Sequence, residues 1–192
     1  MRLIEAVIFD WAGTVVDHGC LAPTEALIEV LSLFGVGITH AEAREPMGLA
    51  KWDHIEALLA MPRVAEAWRA AQGSAPDATA VQRIYGAFIP INTKVAERHS
   101  TLIPGVSEVI STLHDRDIAI GSTTGYTREI MDRVAVAAAR QGYKPDSIVC
   151  AGEVPQGRPA PLMIYQSLVE LQRWPLWRCV KVDDTAPGIA EG

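Results

Sequence analysis

The order of the segments constrains this chain most. One apolar strand ends on a carboxylate, roughly eighty residues of helical pattern follow, and only then do strands return in regular alternation with helices. Residues 2–9 read as a buried strand, a continuous apolar run with β-branched Ile and Val, closed by Asp10. Thr24 is the expected cap of an amphipathic helix over 25–34, and Thr39 that of a second. Helical spacing over 51–59 puts Ile55, Leu58 and Leu59 on one face. Pro62 ends that helix or starts the next, residues 72–77 form a turn cluster, and a long helix over 78–98 is expected to kink or divide at Pro90. Later strands are expected at 117–122, 147–150 and 179–182, with helices over 106–114, 128–140 and 161–171. Strands alternating with helices at this spacing imply a parallel sheet. The expected architecture is a doubly wound, Rossmann-like α/β core over 1–17 and 101–192, carrying an all-helical cap inserted over 18–100. An uninterrupted loop of that length would not fit a compact fold.

Composition supports a real core, since 49% of the residues are hydrophobic. The net charge is -6 and Lys and Arg are scattered singly, which argues against nucleic acid as a partner. Cys20, Cys150 and Cys179 are odd in number and irregular in spacing, so neither a disulfide framework nor a thiolate metal site is expected. No apolar run approaches the ~18 residues that span a bilayer, and no secretory pattern opens the sequence. These features lead us to expect a cytoplasmic protein with no membrane partner.

In a doubly wound sheet the ligand lies at the carboxyl ends of the strands. Three strand ends here carry suitable chemistry: Asp10, the Ser122-Thr123-Thr124-Gly125 turn, and Asp183-Asp184. Asp10 is either a turn carboxylate or a nucleophile able to attack phosphorus. Asp183 and Asp184 suit a hard divalent cation, and Asp10, Asp184 and the carbonyl of Ala12 would suffice for Mg²⁺ with waters or phosphoryl oxygens. Thr124 is the favoured phosphoryl contact, with Ser122 as competitor. Arg158, in Gly157-Arg158-Pro159-Ala160-Pro161, could grip phosphoryl oxygens bidentately. Lys51 taken alone reads as a solvated lysine.

Phe9-Asp-Trp-Ala-Gly-Thr14 resembles the nucleophile loop of the haloacid dehalogenase superfamily, most of whose members are phosphatases. Those phosphatases usually carry a second aspartate, two residues on, that protonates an oxygen leaving group. Here that position is Ala12. An amine that condenses with a neighbouring carbonyl could instead withdraw electrons from a carbon leaving group, and Lys51 is the candidate. Together with Met47-Gly-Leu-Ala-Lys51-Trp-Asp-His54, Gly121-Ser-Thr-Thr-Gly-Tyr-Thr-Arg128 and Val182-Asp-Asp-Thr-Ala-Pro-Gly-Ile189, the chain resembles the phosphonoacetaldehyde hydrolases, or phosphonatases.

The resemblance implies P–C bond hydrolysis of phosphonoacetaldehyde to acetaldehyde and phosphate, with Mg²⁺. It makes Asp10 the nucleophile, Lys51 the Schiff-base residue, and Asp10, Ala12 (through its carbonyl) and Asp184 the metal ligands, with Asp183 beside them. His54 would shuttle protons or simply pack. Met47, Cys20 and Tyr126 would shape the pocket, and two chains would pair through the cap. Three departures stand out. Arg158 replaces the lysine usual in the superfamily, and Gly188 stands where many relatives have an acid. Relatives also continue well beyond the position of Gly192, so the core is expected to be incomplete at its C-terminal side, with apolar strand and helix faces uncovered. The alternatives are a phosphatase or phosphotransferase of the same fold acting on a small phosphate ester, or an inactive fragment.

Overall fold

Residues 3–192 are described by the computed structural model, and the burial of one central strand explains its layers. Strand β1 (Ala6–Phe9) is buried at every position. Alternate side chains of a strand point to opposite faces, so both faces of β1 need a covering layer. Helices α1 (Leu21–Leu33), α2 (His40–Arg44), α3 (Lys51–Ala60), α4 (Pro62–Gln72) and α5 (Ala78–Arg98) follow before the next strand. Then come α6 (Val106–Asp115), β2 (Ala119–Thr124), α7 (Arg128–Ala139), β3 (Ser147–Cys150), α8 (Leu162–Leu171), β4 (Cys179–Val182) and α9 (Ala186–Ile189).

The four strands form a parallel sheet in the order β3-β2-β1-β4. Phe9 pairs with Ser122 on one side and Val182 on the other. Chain order reverses between β1 and β4, so the topological switch point lies where Asp10 and Asp183 leave the sheet. Val7, Phe9 and Ile120 pack on one face with Ile110 of α6 and Ile130, Met131 and Val134 of α7. Ala6, Ile8 and Ala119 pack on the other with Ile164 and Leu168 of α8. The inserted helices bury a separate apolar cluster, including Leu27, Leu31, Ile55, Leu58, Trp68, Ile84 and Phe88. Val95 and Ala96, at the far end of α5, join the core beside the sheet instead.

Several boundaries differ from the sequence reading. Helix α1 begins at Leu21, so Thr24 is inside its first turn and donates its hydroxyl to the Cys20 carbonyl at 2.8 Å. The capping carboxylate is that of Asp17, whose two oxygens accept from the amides of Leu21 and Ala22, each at 2.9 Å. Thr39 does cap α2, in a reciprocal box with Glu42. Pro90 lies inside an undivided α5. Strand β2 runs two residues further than expected, through Thr124, because its hydroxyls find partners within the fold and threonine suits a pleated strand. Strand β1 starts at Ala6; Arg2, part of the expected strand, lies outside the described residues.

Strand β4 forms one edge of the sheet and leaves Val180 partly exposed. An apolar groove borders it, lined in part by Ile4, Val109, Ile110, Val180 and Val182. No helix among the described residues is long and apolar enough to cross a membrane. Removing the cap in Asp17→Ala should cost about 1–2 kcal/mol of unfolding free energy. Urea denaturation checks this, and an unchanged midpoint would contradict the capping role.

Candidate active site

Asp10 takes its place because the strand ahead of it is fixed from both sides. Its amide donates to the Val182 carbonyl at 2.9 Å, extending the β1–β4 ladder by one step. Its side chain is buried, and Arg158 Nη2 donates to Asp10 Oδ1 at 2.8 Å. Burial pushes the Asp10 carboxyl up to about 6, against the pull of the Arg158 cation. Arg158 comes from the loop between β3 and α8. Its Nε also donates to Glu191 Oε2 at 3.0 Å, and Nη2 to the Thr123 carbonyl at 2.8 Å.

Asp10, Asp183 and Asp184 each offer an oxygen within 4.8 Å of the others. The carbonyl of Ala12 accepts the Cys20 thiol proton at 2.9 Å, and the same sulfur lies 3.4 Å from Asp184 Oδ2. Ala12 O and Asp184 therefore face one small volume, and a carbonyl keeps a second lone pair free. Carboxylates and a carbonyl converging in this way fit a hard divalent cation. Burial raises the Cys20 thiol, so it stays protonated there.

Lys51 is the first residue of α3 and is only 5% exposed. It lines one cavity with Asp10, Ala12, Cys20, Met47, Thr124, Tyr126 and Arg158. Its Nζ is 5.8 Å from the centre of the Tyr126 ring. Burial lowers the amine to about 8, and nearby Arg158 pushes the same way while Asp10 opposes. The cavity is only about 20 Å³, room for roughly one water. Its roof is held close: a Cβ on Gly125 would sit 2.9 Å from the Leu49 carbonyl, and one on Gly48, at φ 96°, would strike the Thr185 hydroxyl.

The structure brings together most of the residues singled out from sequence. Four do not line the cavity: Asp183 and Asp184 stand beside it with Asp10, and Ser122 and His54 are turned into the interior. Ser122 is fully buried, with its hydroxyl accepting from Trp11 Nε1 at 2.8 Å and directed to the Ser147 carbonyl at 3.3 Å. It is spent on the interior, so Thr124 is the hydroxyl left at the cavity. His54 is also fully buried, and its Nε2 meets the Ala43 carbonyl at 2.9 Å. A carbonyl only accepts, so Nε2 carries the proton and Nδ1 is a lone pair without a hydrogen-bond partner. Burial, with the charge of Lys51 adding to it, lowers the imidazole to about 3 and keeps it neutral. Sequence reading missed Lys181 and Glu191, both nearly buried beside Arg158. Alone, each looks like a solvated charge. Their signal was positional: Lys181 interrupts an apolar strand that must pack against β1.

The buried amine should titrate with a midpoint of about 8, readable from the Lys51 side-chain carbon resonance and assigned with Lys51→Arg. The neutral fraction grows as pH rises through that value. A midpoint near the ordinary 10.5 would contradict the burial described here.

Comparison with known proteins agrees with this geometry. The profile of the haloacid dehalogenase-like hydrolases matches residues 4–192. The phosphonoacetaldehyde hydrolase of Paraburkholderia phytofirmans is 55% identical over 192 residues, all of this chain and 72% of that protein. That of Bacillus cereus is 51% identical over 189 residues, 98% of this chain and 72% of that one. A crystal structure of a phosphonoacetaldehyde hydrolase like protein from Oleispira antarctica superposes with a TM-score of 0.96 at 44% identity, covering 98% of this chain and 68% of that one. With a parallel sheet that delivers Asp10 and Asp184 to its switch point and a helical insertion that delivers Lys51, the chain belongs to the phosphonoacetaldehyde hydrolase family of the haloacid dehalogenase-like hydrolases.

Proposed function

We propose that this chain hydrolyses the P–C bond of phosphonoacetaldehyde to acetaldehyde and phosphate. The observation that carries the reading is the pairing of a buried Lys51 amine with Asp10 across one cavity, while Ala12 leaves no acid to protonate an oxygen leaving group. A carbanion expelled from phosphorus needs an electron sink more than a proton, and an iminium on Lys51 provides one.

In this reading residues 18–100 act as a lid that brings Lys51 over the sheet edge and excludes water. The substrate aldehyde condenses with neutral Lys51 and loses water. His54, one helical turn along, is neutral and tied through Nε2 to the Ala43 carbonyl, so it steadies the start of α3 rather than carrying protons in that step. Asp10 then attacks phosphorus, the P–C bond breaks, and its electron pair moves into the iminium to give an enamine on Lys51. Arg158 and Thr124 hold the phosphoryl oxygens as charge develops. Water hydrolyses the aspartyl phosphate, and the enamine takes a proton and hydrolyses to acetaldehyde. Asp10, Asp184 and the Ala12 carbonyl would hold Mg²⁺, which supplies charge neutralisation between Asp10 and the anionic phosphoryl group.

Phosphate release measured on phosphonoacetaldehyde and on an aryl phosphate tests the reading. Lys51→Ala should lower phosphonate cleavage by about 10³-fold or more, because it deletes a covalent step. Aryl phosphate should be a poor substrate for both proteins. Phosphonate cleavage that survives Lys51→Ala would contradict the proposal, and efficient aryl phosphate hydrolysis by both proteins would favour an ordinary phosphatase.

A further inference from the structure

Arg128 closes the strand-to-helix motif that follows β2, and it stands where a cation is ill placed for its own helix. It is the first residue of α7, and the N-terminal end of a helix already carries partial positive charge. Its guanidinium turns instead to the exit of β3. Nε donates to Glu153 Oε1 at 2.7 Å and Nη2 to Glu153 Oε2 at 2.8 Å, a two-pronged pairing. Nη2 also donates to the Ile148 carbonyl at 2.7 Å. Glu153 Oε2 accepts the Cys150 amide as well, at 2.8 Å. The Ala151 amide donates to the Tyr126 carbonyl at 3.0 Å, so backbone and side chains together tie the two strand exits. Both exits lead into the site. Thr124 and Tyr126 line the cavity from the first, and the second runs on through Glu153 to Arg158. Strand β3 is an edge strand paired only with β2, so its exit has a single neighbouring strand end to lean on.

We propose that Arg128 and Glu153 are positioning residues: their pairing across the ends of β2 and β3 holds Thr124 and Arg158 in register for a phosphoryl group. Neither lines the cavity, so each acts through the residues it holds. This deepens the reaction proposed above and rests on its assignment of Thr124 and Arg158 as phosphoryl contacts. An exposed ion pair contributes little by attraction alone, and both side chains are partly exposed. The contribution here is geometric. A guanidinium fork and a carboxylate pair in a fixed relative orientation, and each partner is fixed in turn by a backbone group of β3. Further along the loop, Arg158 is held at its head by Asp10 and Thr123. Freed at Glu153, the loop would leave Arg158 held at its guanidinium alone.

The test is a double-mutant cycle read by calorimetry of inorganic phosphate binding in Mg²⁺ buffer, well below every unfolding midpoint. Arg128→Ala and Glu153→Ala should each weaken phosphate binding about fivefold or more. The double variant should be no weaker than the worse single one, because the two residues act as a unit. Arg128→Lys keeps the charge but loses the fork, so it should weaken binding nearly as much as Arg128→Ala. Arg133→Ala removes a different ion pair of α7, that with Glu97 at 3.3 Å, and should leave phosphate binding unchanged. A merely structural pair would lower the unfolding midpoint and leave phosphate affinity as it was. Unchanged affinity in both single variants, effects that add in the double, or full retention by Arg128→Lys overturns the proposal, as does a native chain that binds no phosphate. If the native chain binds phosphate but does not cleave phosphonoacetaldehyde, the proposed reaction falls, while the phosphate cycle still decides the role of Arg128 and Glu153.

Discussion

The structure depends on one buried guanidinium. Arg158 reaches from the loop after β3 to the ends of β1 and β2 and to the segment after β4, through Asp10, Thr123, Asp183 and Glu191. Four separate parts of the chain thus meet on a single planar group. A fork of fixed donors suits this better than a flexible ammonium, which is a physical reason for arginine at this position. The contact also acts on the charge of Asp10. Asp10 is buried enough for its carboxyl to be raised to about 6, and the guanidinium is the largest influence opposing that shift.

The lid has the converse problem. In the proposed reaction Lys51 must be an amine, not an ammonium, to attack a carbonyl, and burial moves it that way. It starts a helix whose apolar face is anchored among the inserted helices by Ile55, Leu58 and Leu59. Its own side chain is left over Tyr126 in a cavity with little room for solvent. The inserted helices and the sheet thus contribute Lys51 and Asp10 to one cavity, and the close approach of Gly48 and Gly125 to neighbouring atoms lets the two layers meet.

Much of this was legible in the sequence. The α/β core with helical insertion followed from the spacing of the strand segments, and strands β3 and β4 fall where the apolar runs put them. Asp10, Thr124 and Asp184 could be singled out because strand ends have known places in a doubly wound sheet, whereas Lys51, which alone reads as a solvated lysine, was singled out only through Ala12 and the family resemblance. What stayed hidden was long-range pairing. Asp17 caps α1 through a loop carboxylate ahead of the helix start, which helix periodicity does not register. Ser122 and Thr123 look as available as Thr124 in one dimension, yet only the register of β2 shows which hydroxyls turn inward. Lys181 and Glu191 acquire meaning only beside Arg158.

In the proposed reaction Lys51 becomes covalently joined to the substrate carbonyl carbon. Borohydride reduction in the presence of phosphonoacetaldehyde, followed by mass spectrometry of peptides, tests it directly. The account predicts a reduced two-carbon adduct on the peptide containing Lys51, absent without substrate and absent in Lys51→Arg. Turnover that continues undiminished under borohydride with no such adduct, or an adduct on another lysine that persists in Lys51→Arg, would contradict it.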